Sequence, residues 1–227
     1  MIKKHVISGL AVLLSRAVLS QSGNKPKDAS ELQLNTITTA VPFLQITPDS
    51  RSGALGDAGT ALSPSSSSLF WNTSMLAFSE DKSEVSLSYS PWLKNLADDI
   101  HLSHLAGFYK FSDRHTVGAS LRYFSLGEIV FTDIQGDVIR LHTRSELEIL
   151  MGYAFKLNQN FSLGLNGKFI YSNLTANVVS EGGARASGLA GAADLSFSYY
   201  NDEVSYGRTP GKLAFGLTLN NIGNKIS

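Results

Sequence analysis

Long segments of this chain alternate apolar and polar residues with a period of two, and this pattern limits the folds available to it. Such alternation predicts a β-strand whose two faces meet different surroundings. It is clearest at 161–172, where one face carries Phe161, Leu163, Leu165, Phe169 and Tyr171 and the other carries Ser162, Asn166, Lys168 and Ser172. The alternation recurs at 85–90, 100–111, 115–132, 146–157, 189–199 and 213–220. The sequence therefore predicts an all-β protein with seven antiparallel strands in this part of the chain.

The polar face of these strands distinguishes a membrane barrel from a soluble β-sandwich. It includes charged residues that the dry core of a sandwich would not accept, namely Glu146, Glu148, Lys156, Lys168 and Asp194. Aromatic residues gather near strand ends, as in the girdles of outer-membrane barrels: Tyr89, Tyr109, Phe111, Tyr171, Tyr199 and Tyr200. We therefore expect a transmembrane antiparallel β-barrel with lipid outside and water inside.

The region before the strands lacks this alternation and divides into three parts. Residues 1–20 have the layout of a cleaved secretory signal peptide, with Lys3 and Lys4, an apolar run, and small residues ending at Ser20. Residues 21–40 are polar and predict a flexible leader. Residues 41–83 are rich in Gly, Ser and Pro and predict a plug-like segment of short helices and loops. The barrel portion then spans 84–227, and we expect the protein in the outer membrane of a Gram-negative-type bacterium.

Composition excludes several functions. The chain has no cysteine, so it contains neither disulfides nor thiolate metal sites. Its formal net charge is zero, and cleavage of the signal peptide would remove only cations, so nucleic acid is not an expected partner. His101 and His104 are three residues apart, which puts them on opposite faces of a strand and argues against a shared metal. We expect no cofactor.

The lengths of the turns predict how the strands are oriented. Tight turns are predicted at 112–114 and 158–160, and longer, polar connections at 91–99, 133–137 and 180–187. Short turns face the periplasm and long loops face outward in such barrels, so the N-terminal segment is expected on the periplasmic side. The segment 201–210 is long for a periplasmic turn and does not fit this scheme.

The strand count predicts an incomplete barrel. Seven strands leave an edge that cannot be satisfied in lipid, because a barrel with both ends in the periplasm needs an even number. The residues 223–227 are polar and contain no terminal aromatic strand. We therefore expect a curved open sheet of about seven strands, about half of a larger barrel.

Two blocks carry a family resemblance. The first, VPFLQITPDSRSGALGDAG at 41–59, contains Pro48, Asp49, Ser50, Arg51, Gly53, Gly56, Asp57 and Gly59. The second comprises Trp71-Asn72, LSYSPWLKNL at 87–96, and Asp98 to Ile100. Both resemble the PorV family, the outer-membrane barrel proteins of the type IX secretion system. The resemblance implies a FadL-like barrel of fourteen strands, of which this chain would form the first seven, with the N-terminal segment in the barrel mouth. Thr73 and Ser74 replace the family's usual Pro-Ala, which would alter the helix start there.

The resemblance implies a binding protein that does not catalyse. PorV proteins receive cargo from the translocon by binding the cargo's C-terminal signal domain, and they carry it to an attachment complex that includes a PorU-type sortase. Cargo signal domains, the translocon, the sortase and outer-membrane lipid are therefore the expected partners. The candidate cargo contact is the loop of Pro91, Trp92, Leu93, Lys94 and Asn95. This loop is expected where the first strand meets the outer surface of the membrane. A Trp at that position either anchors the barrel at the membrane interface or contacts a protein partner.

Residues of the first block also have structural interpretations. Gly53, Gly56 and Gly59 would let this segment approach the barrel wall closely, and they do not form a phosphate-binding motif. Asp49, flanked by Pro48 and near Arg51, is expected to cap backbone N–H groups. The alternative is a fixed salt bridge to charges in the lumen.

Two other functions are open to a chain of this kind. A FadL-like transporter of hydrophobic compounds would need an apolar pocket near the N-terminal segment. An outer-membrane lipid A deacylase or phospholipase would need a nucleophile, a base and an orienting acid in one place. Ser145, His142 and Glu146 supply these residue types. The charged inner face favours the binding protein over the transporter.

Overall fold

The computed structural model describes residues 42–92, 94, 99–133, 135–174, 179–180, 183–184, 188–207 and 209–223. The predicted signal peptide and leader lie outside these residues. So do Leu93 and Asn95 of the candidate cargo loop, and the polar residues after Gly223.

Within the described residues, four short helical segments precede the sheet. They are a first 3-10 helix at Pro42–Gln45, helix α1 at Ser50–Ala54, helix α2 at Ser68–Trp71, and a second 3-10 helix at Thr73–Phe78. Helix α1 stops because the chain reverses at Gly56 and Asp57, whose φ values are 70° and 62°. In the part of the chain that is described, no helix has the length and apolar character needed to cross a membrane.

Nine strands follow in the part of the chain that is described, and seven of them form one antiparallel sheet. The strands are β1 (Ser83–Pro91), β2 (Ile100–Ser112), β3 (His115–Thr132), β4 (Val138–Lys156), β5 (Phe161–Asn173), β6 (Val179–Ser180), β7 (Gly183–Ala184), β8 (Gly188–Tyr206) and β9 (Thr209–Gly223). The sheet order is β1-β2-β3-β4-β5-β8-β9, and β6 and β7 form a separate small hairpin between β5 and β8. The seven strands of the main sheet lie side by side in the order in which they occur along the chain, so the main sheet is an up-and-down meander.

The sheet is an open half-barrel. Its edges are β1 and β9, each of which pairs on one side only within the described residues. This confirms the predicted curved sheet of seven strands. Along β5 the side chains alternate between exposed and buried, as the period-two pattern predicts. Leu163, Leu165 and Phe169 face outward and Ser162, Asn166 and Lys168 face inward.

Three details of the strands differ from the expectations. The segment 201–210 is not a long loop, because β8 and β9 stay paired down to Tyr206 and Thr209 and turn at Gly207, whose φ is 67°. The connection 133–137 is a compact turn in which the Asp133 side chain accepts hydrogen bonds from the N–H groups of Gln135 and Asp137. Tyr200 does not belong to the outer aromatic girdle, since its buried ring stacks on Phe78 inside the half-barrel.

Candidate functional site

The inner face of the half-barrel is occupied by residues 42–78, which we call the inner segment. Wall positions without side chains make room for it. A Cβ on Gly118 or on Gly152 would come within 2.8 Å of the Leu69 side chain. A Cβ on Gly164 would collide with Ser74, and one on Gly216 with the carbonyl oxygen of Thr60. These four wall glycines allow the backbone of the inner segment to approach the sheet closely.

The glycines of the first sequence block do not have this role. A Cβ on Gly59 would collide with the Trp71 indole, which belongs to the inner segment itself. Gly56 has a positive φ and open space around it, and Gly53 has only an ordinary contact with Thr47. The expectation that these three glycines pack against the barrel wall is therefore wrong, and they serve turns and packing within the segment.

Arg122 of β3 connects the wall with two separate parts of the inner segment. Its side chain is 1% exposed and forms an ion pair of 3.0 Å with Glu148 of β4. The guanidinium group also lies 4.9 Å from the centre of the Phe43 ring and 4.7 Å from that of Phe70. A second nitrogen donates a hydrogen bond of 3.0 Å to the carbonyl oxygen of Ile46. A single wall cation therefore orders the first 3-10 helix and helix α2 together.

Asn72, Thr73 and Ser74 hold the second 3-10 helix to the wall. The Asn72 amide donates to the Ser198 hydroxyl at 2.9 Å, and Thr73 donates to the Asn166 side chain at 2.6 Å. The Ser74 N–H donates to the hydroxyl of Ser196 at 3.1 Å. The polar Thr73-Ser74 pair, at which the sequence departs from the PorV pattern, therefore still begins a helix and adds hydrogen bonds to strands β5 and β8.

A second buried ion pair joins β5 and β8 beside the edge strand β9. Lys168 contacts Asp194 at 2.8 Å, and both side chains are nearly inaccessible. Asp194 also accepts hydrogen bonds from the Asn166 amide and from the N–H of Asn221. Asn221 has a φ of 60°, and the register between β8 and β9 shifts beside it. The charged pair thus stabilises a β-bulge at the edge of the sheet.

An apolar cluster surrounds the first 3-10 helix at the end of the half-barrel that carries the longer connections. Phe43 is buried among Leu102, Phe124, Ile170 and Ala190, which come from four different strands. Asp49 caps helix α1, as expected, by accepting a hydrogen bond of 2.8 Å from the N–H of Ser52. Its other oxygen accepts one of 3.1 Å from the Trp71 indole. Arg51 is exposed, and Pro48 is buried.

Two cavities on the inner side are lined largely by polar and charged residues. One, of about 310 Å³, lies between the inner segment and strand β1. Serine side chains line most of it, together with Asp49, Arg51, Trp71 and His104. Another, of about 490 Å³, lies at the short-turn end and is lined by Lys156, Asp202 and Glu203 among others. Neither provides the apolar pocket that a carrier of hydrophobic compounds needs beside its N-terminal segment.

Trp92 lies directly after β1, at the end with the longer connections. Its side chain is 46% exposed, and its ring contacts Phe124 edge-on at 5.4 Å. The Trp92 N–H donates to the carbonyl oxygen of Ile100, which closes the base of the loop. Val138 and Ile139, at the start of β4, are also largely exposed. This end of the half-barrel therefore presents apolar side chains.

The histidines are dispersed as the spacing predicts. His101 faces outward between Tyr89 and Tyr123, whereas His104 is buried on the inner face. The structure does not assemble a hydrolytic site around His142. Glu146 accepts its hydrogen bond from Ser172, and the Nε2 atom of His142 is buried without a hydrogen-bond partner in the described part of the chain. His142 and Glu146 are four positions apart along the strand, a distance of about 13 Å.

The outer face carries a band of exposed apolar side chains bounded by aromatic rows. Tyr171 and Phe161 mark the two ends of this band on β5. They are ten positions apart, which corresponds to about 33 Å along the strand. At the usual tilt of a barrel strand this corresponds to a height of about 25 Å, which is the thickness of the apolar band in outer-membrane barrels.

Sequence reasoning missed the roles of Arg122 and of the Asn72–Ser74 polar cluster. Arg122 lies in the strand where the alternation is less regular, and Asn72-Thr73-Ser74 reads as a chance glycosylation pattern. The usable signal was the position of Arg122 on an inner face, because a cation there requires a partner. The partner itself depends on strand register, which pairs Arg122 with Glu148.

Comparison with known proteins agrees with this architecture. A family model described as "Type IX secretion system protein PorV" matches residues 29–227, which is most of the chain. No curated protein matches the sequence.

Proposed function

Since the chain belongs to the PorV family of type IX secretion system proteins, we propose that it is an outer-membrane protein that binds the C-terminal signal domains of cargo. It receives cargo from the translocon and carries it to the surface attachment complex with its PorU-type sortase. The observation that carries this proposal is the family match together with exposed apolar residues at one end of the half-barrel.

The outer apolar band supports the membrane location. Large apolar side chains remain exposed on every strand of the main sheet, among them Leu87, Leu105, Met151, Leu195 and Leu217. A surface of this kind is unfavourable in water and favourable in lipid. The short turns at Gly207 and between Ser112 and His115 support a periplasmic location for the end of the half-barrel that carries them, and Trp92 would then lie at the cell surface.

The interior supports a binding protein over a transporter. The inner segment lies against strands β3, β5 and β8 through hydrogen bonds and buried packing. Two cavities beside it are lined largely by polar and charged side chains. A hydrophobic substrate would gain little by entering them, because it would have to displace water from charged and hydroxyl groups. Binding of cargo therefore takes place on the outer loops and not inside the half-barrel.

The test is cargo binding by a variant of the candidate loop, which contains Trp92 and Leu93. Replacing both with Ala should weaken the binding of a purified type IX cargo signal domain about 30-fold, because a central aromatic contact contributes on the order of 2 kcal/mol. Binding is measured by titration with the protein in lipid nanodiscs. The matched control is Val85→Ala with Leu87→Ala, an exposed apolar pair of β1 on the outer face, and it should leave the affinity unchanged. Equal affinities in the loop variant and the wild type would refute the assignment of the loop.

A further inference from the structure

Strand β3 contains a bulge at the end of the half-barrel that carries the longer connections. Its pairing with β4 shifts register between Ser125 and Glu128, and Gly127, inside this interval, has a φ of 82°. A bulge takes a residue out of the regular ladder, so the backbone groups beside it need other partners. This bulge directly follows Leu126, which pairs with Ile100 at the start of β2.

The side chain of Asp99 fits against this bulge. Its Oδ2 atom accepts a hydrogen bond of 2.7 Å from the N–H of Glu128. A Cβ on Gly127 would lie only 2.7–2.9 Å from the three atoms of the Asp99 carboxylate. Gly127 therefore has two roles, since it permits the positive φ of the bulge and leaves space for the carboxylate. Through this contact, the residue before β2 is connected to the backbone of β3.

The Asp99 contact lies beside Trp92, the aromatic residue of the candidate cargo loop. Ile100 follows Asp99 in the chain, and its carbonyl oxygen accepts a hydrogen bond of 2.9 Å from the Trp92 N–H. The Trp92 ring contacts Phe124 at 5.4 Å, and Ile100 packs against the buried cluster that contains Phe124. The connection from β1 to β2 begins at Trp92 and ends at Asp99, so the contact with the bulge fixes its returning end.

We propose that Asp99 is a positioning residue for Trp92 and holds this side chain in the orientation in which it contacts cargo. The inference rests on the proposed function, because it takes Trp92 as part of the cargo contact. Asp99 acts through the oxygen that accepts the Glu128 N–H, and not through its charge, which is screened because the residue is exposed. Without this hydrogen bond, cargo would have to order Trp92 on binding, and this would lower the affinity.

The first test measures the affinity for a purified cargo signal domain by titration with the full chain in lipid nanodiscs. Asp99→Leu keeps the shape of the side chain but removes the acceptor, and it should weaken binding about fivefold. Asp99→Asn keeps an acceptor oxygen and should bind within about twofold of the wild type. The matched control is Asn158→Leu, which should leave the affinity unchanged. Asn158 also accepts hydrogen bonds from backbone N–H groups, but in a tight turn at the other end of the half-barrel.

Gly127 provides a second variant of the same contact. Gly127→Ala places a methyl group where the Asp99 carboxylate lies, so it should weaken binding at least as much as Asp99→Leu. Once the carboxylate has been displaced, removing it should have no further effect. The double variant should therefore bind cargo as tightly as Gly127→Ala alone. Additive losses of affinity would overturn the proposal.

Hydrogen exchange at the Trp92 amide distinguishes failure of this proposal from failure of the proposed function. Exchange there should accelerate about tenfold in Asp99→Leu and stay unchanged in Asp99→Asn. Unchanged exchange in Asp99→Leu would mean that Asp99 does not position Trp92. Equal losses of affinity in the two Asp99 variants would mean that its charge contacts cargo directly, which would also overturn the proposal.

The Ala double variant of Trp92 and Leu93 completes the comparison. If it binds cargo weakly while Asp99→Leu binds like the wild type, the position of Trp92 does not matter and the proposal is wrong. If it binds cargo like the wild type while exchange accelerates in Asp99→Leu, the contact orders Trp92 as inferred. In that case the assignment of the cargo loop is refuted instead.

Discussion

Replacing Arg122 with methionine should destabilise the protein through the charge that it leaves behind. Methionine keeps much of the volume between Phe43 and Phe70, but Glu148 remains 1% exposed with no cation beside it. Breaking one side of a buried ion pair typically costs about 3–5 kcal/mol. The loss of two desolvated cation–π contacts adds to this, each of about 1–2 kcal/mol. We therefore expect a decrease of at least about 3 kcal/mol in the free energy of unfolding.

The assay is guanidinium unfolding of the protein folded in phospholipid vesicles, followed by the fluorescence of Trp71 and Trp92. A double-mutant cycle with Glu148→Gln isolates the pair, since removing both partners should cost clearly less than the sum of the single changes. The matched control is Lys212→Met, because Lys212 pairs with Glu80 at 3.5 Å on an exposed surface. That change should cost less than about 1 kcal/mol.

Hydrogen exchange shows whether Arg122 orders the inner segment as inferred. In the Arg122→Met variant, exchange should accelerate at Phe43–Ile46. Arg122 contacts the ring of Phe43 and donates a hydrogen bond to the carbonyl oxygen of Ile46. It should change little at Thr73–Phe78, which is held independently by hydroxyl groups of β5 and β8. A destabilisation below 1 kcal/mol, or additive single changes in the cycle, would refute the reasoning.

Two further changes test the packing of the inner segment and the bulge. Gly118→Ala places a methyl group within 2.8 Å of the Leu69 side chain and should cost roughly 1–3 kcal/mol of unfolding free energy. Adding Leu69→Ala should cost less in this background than in the wild type, and an equal cost would contradict the proposed contact. Asp194→Ala leaves Lys168 buried without its carboxylate and should cost about 3 kcal/mol, measured by the same unfolding assay. An unchanged midpoint would mean that the lysine reaches water.

Much of the sheet could be predicted from the sequence because a strand records its surroundings locally. The alternation of Leu163 and Leu165 with Ser162 and Asn166 requires one apolar and one polar environment, whatever the neighbouring strands are. The short turns, the seven strands and the family resemblance follow from the same local information. The pattern also placed His101 and His104 on opposite faces, since side-chain direction in a strand depends only on residue parity.

The interior was decided by tertiary structure. Arg122 meets Glu148 because β3 and β4 pair in one particular register. A shift of one residue in that pairing would turn one of the two side chains to the opposite face of the sheet. The inner segment fits because Gly118, Gly152, Gly164 and Gly216, on four different strands, all lie beneath it on the inner face, although nothing in their own sequence neighbourhoods distinguishes them.

The segment 201–206 is a second case in which tertiary structure, and not local sequence, decided the conformation. The sequence there is polar and was expected to be a connection, but pairing with β9 extends β8 to Tyr206. Backbone hydrogen bonds to a neighbouring strand do not depend on side-chain polarity, so composition carried no signal of them. The sequence by itself determined the kind of surface that each strand presents. Strand register and the close approach of backbones determined which residues contact those surfaces. Both depend on segments that are distant in the sequence and meet only in the folded protein.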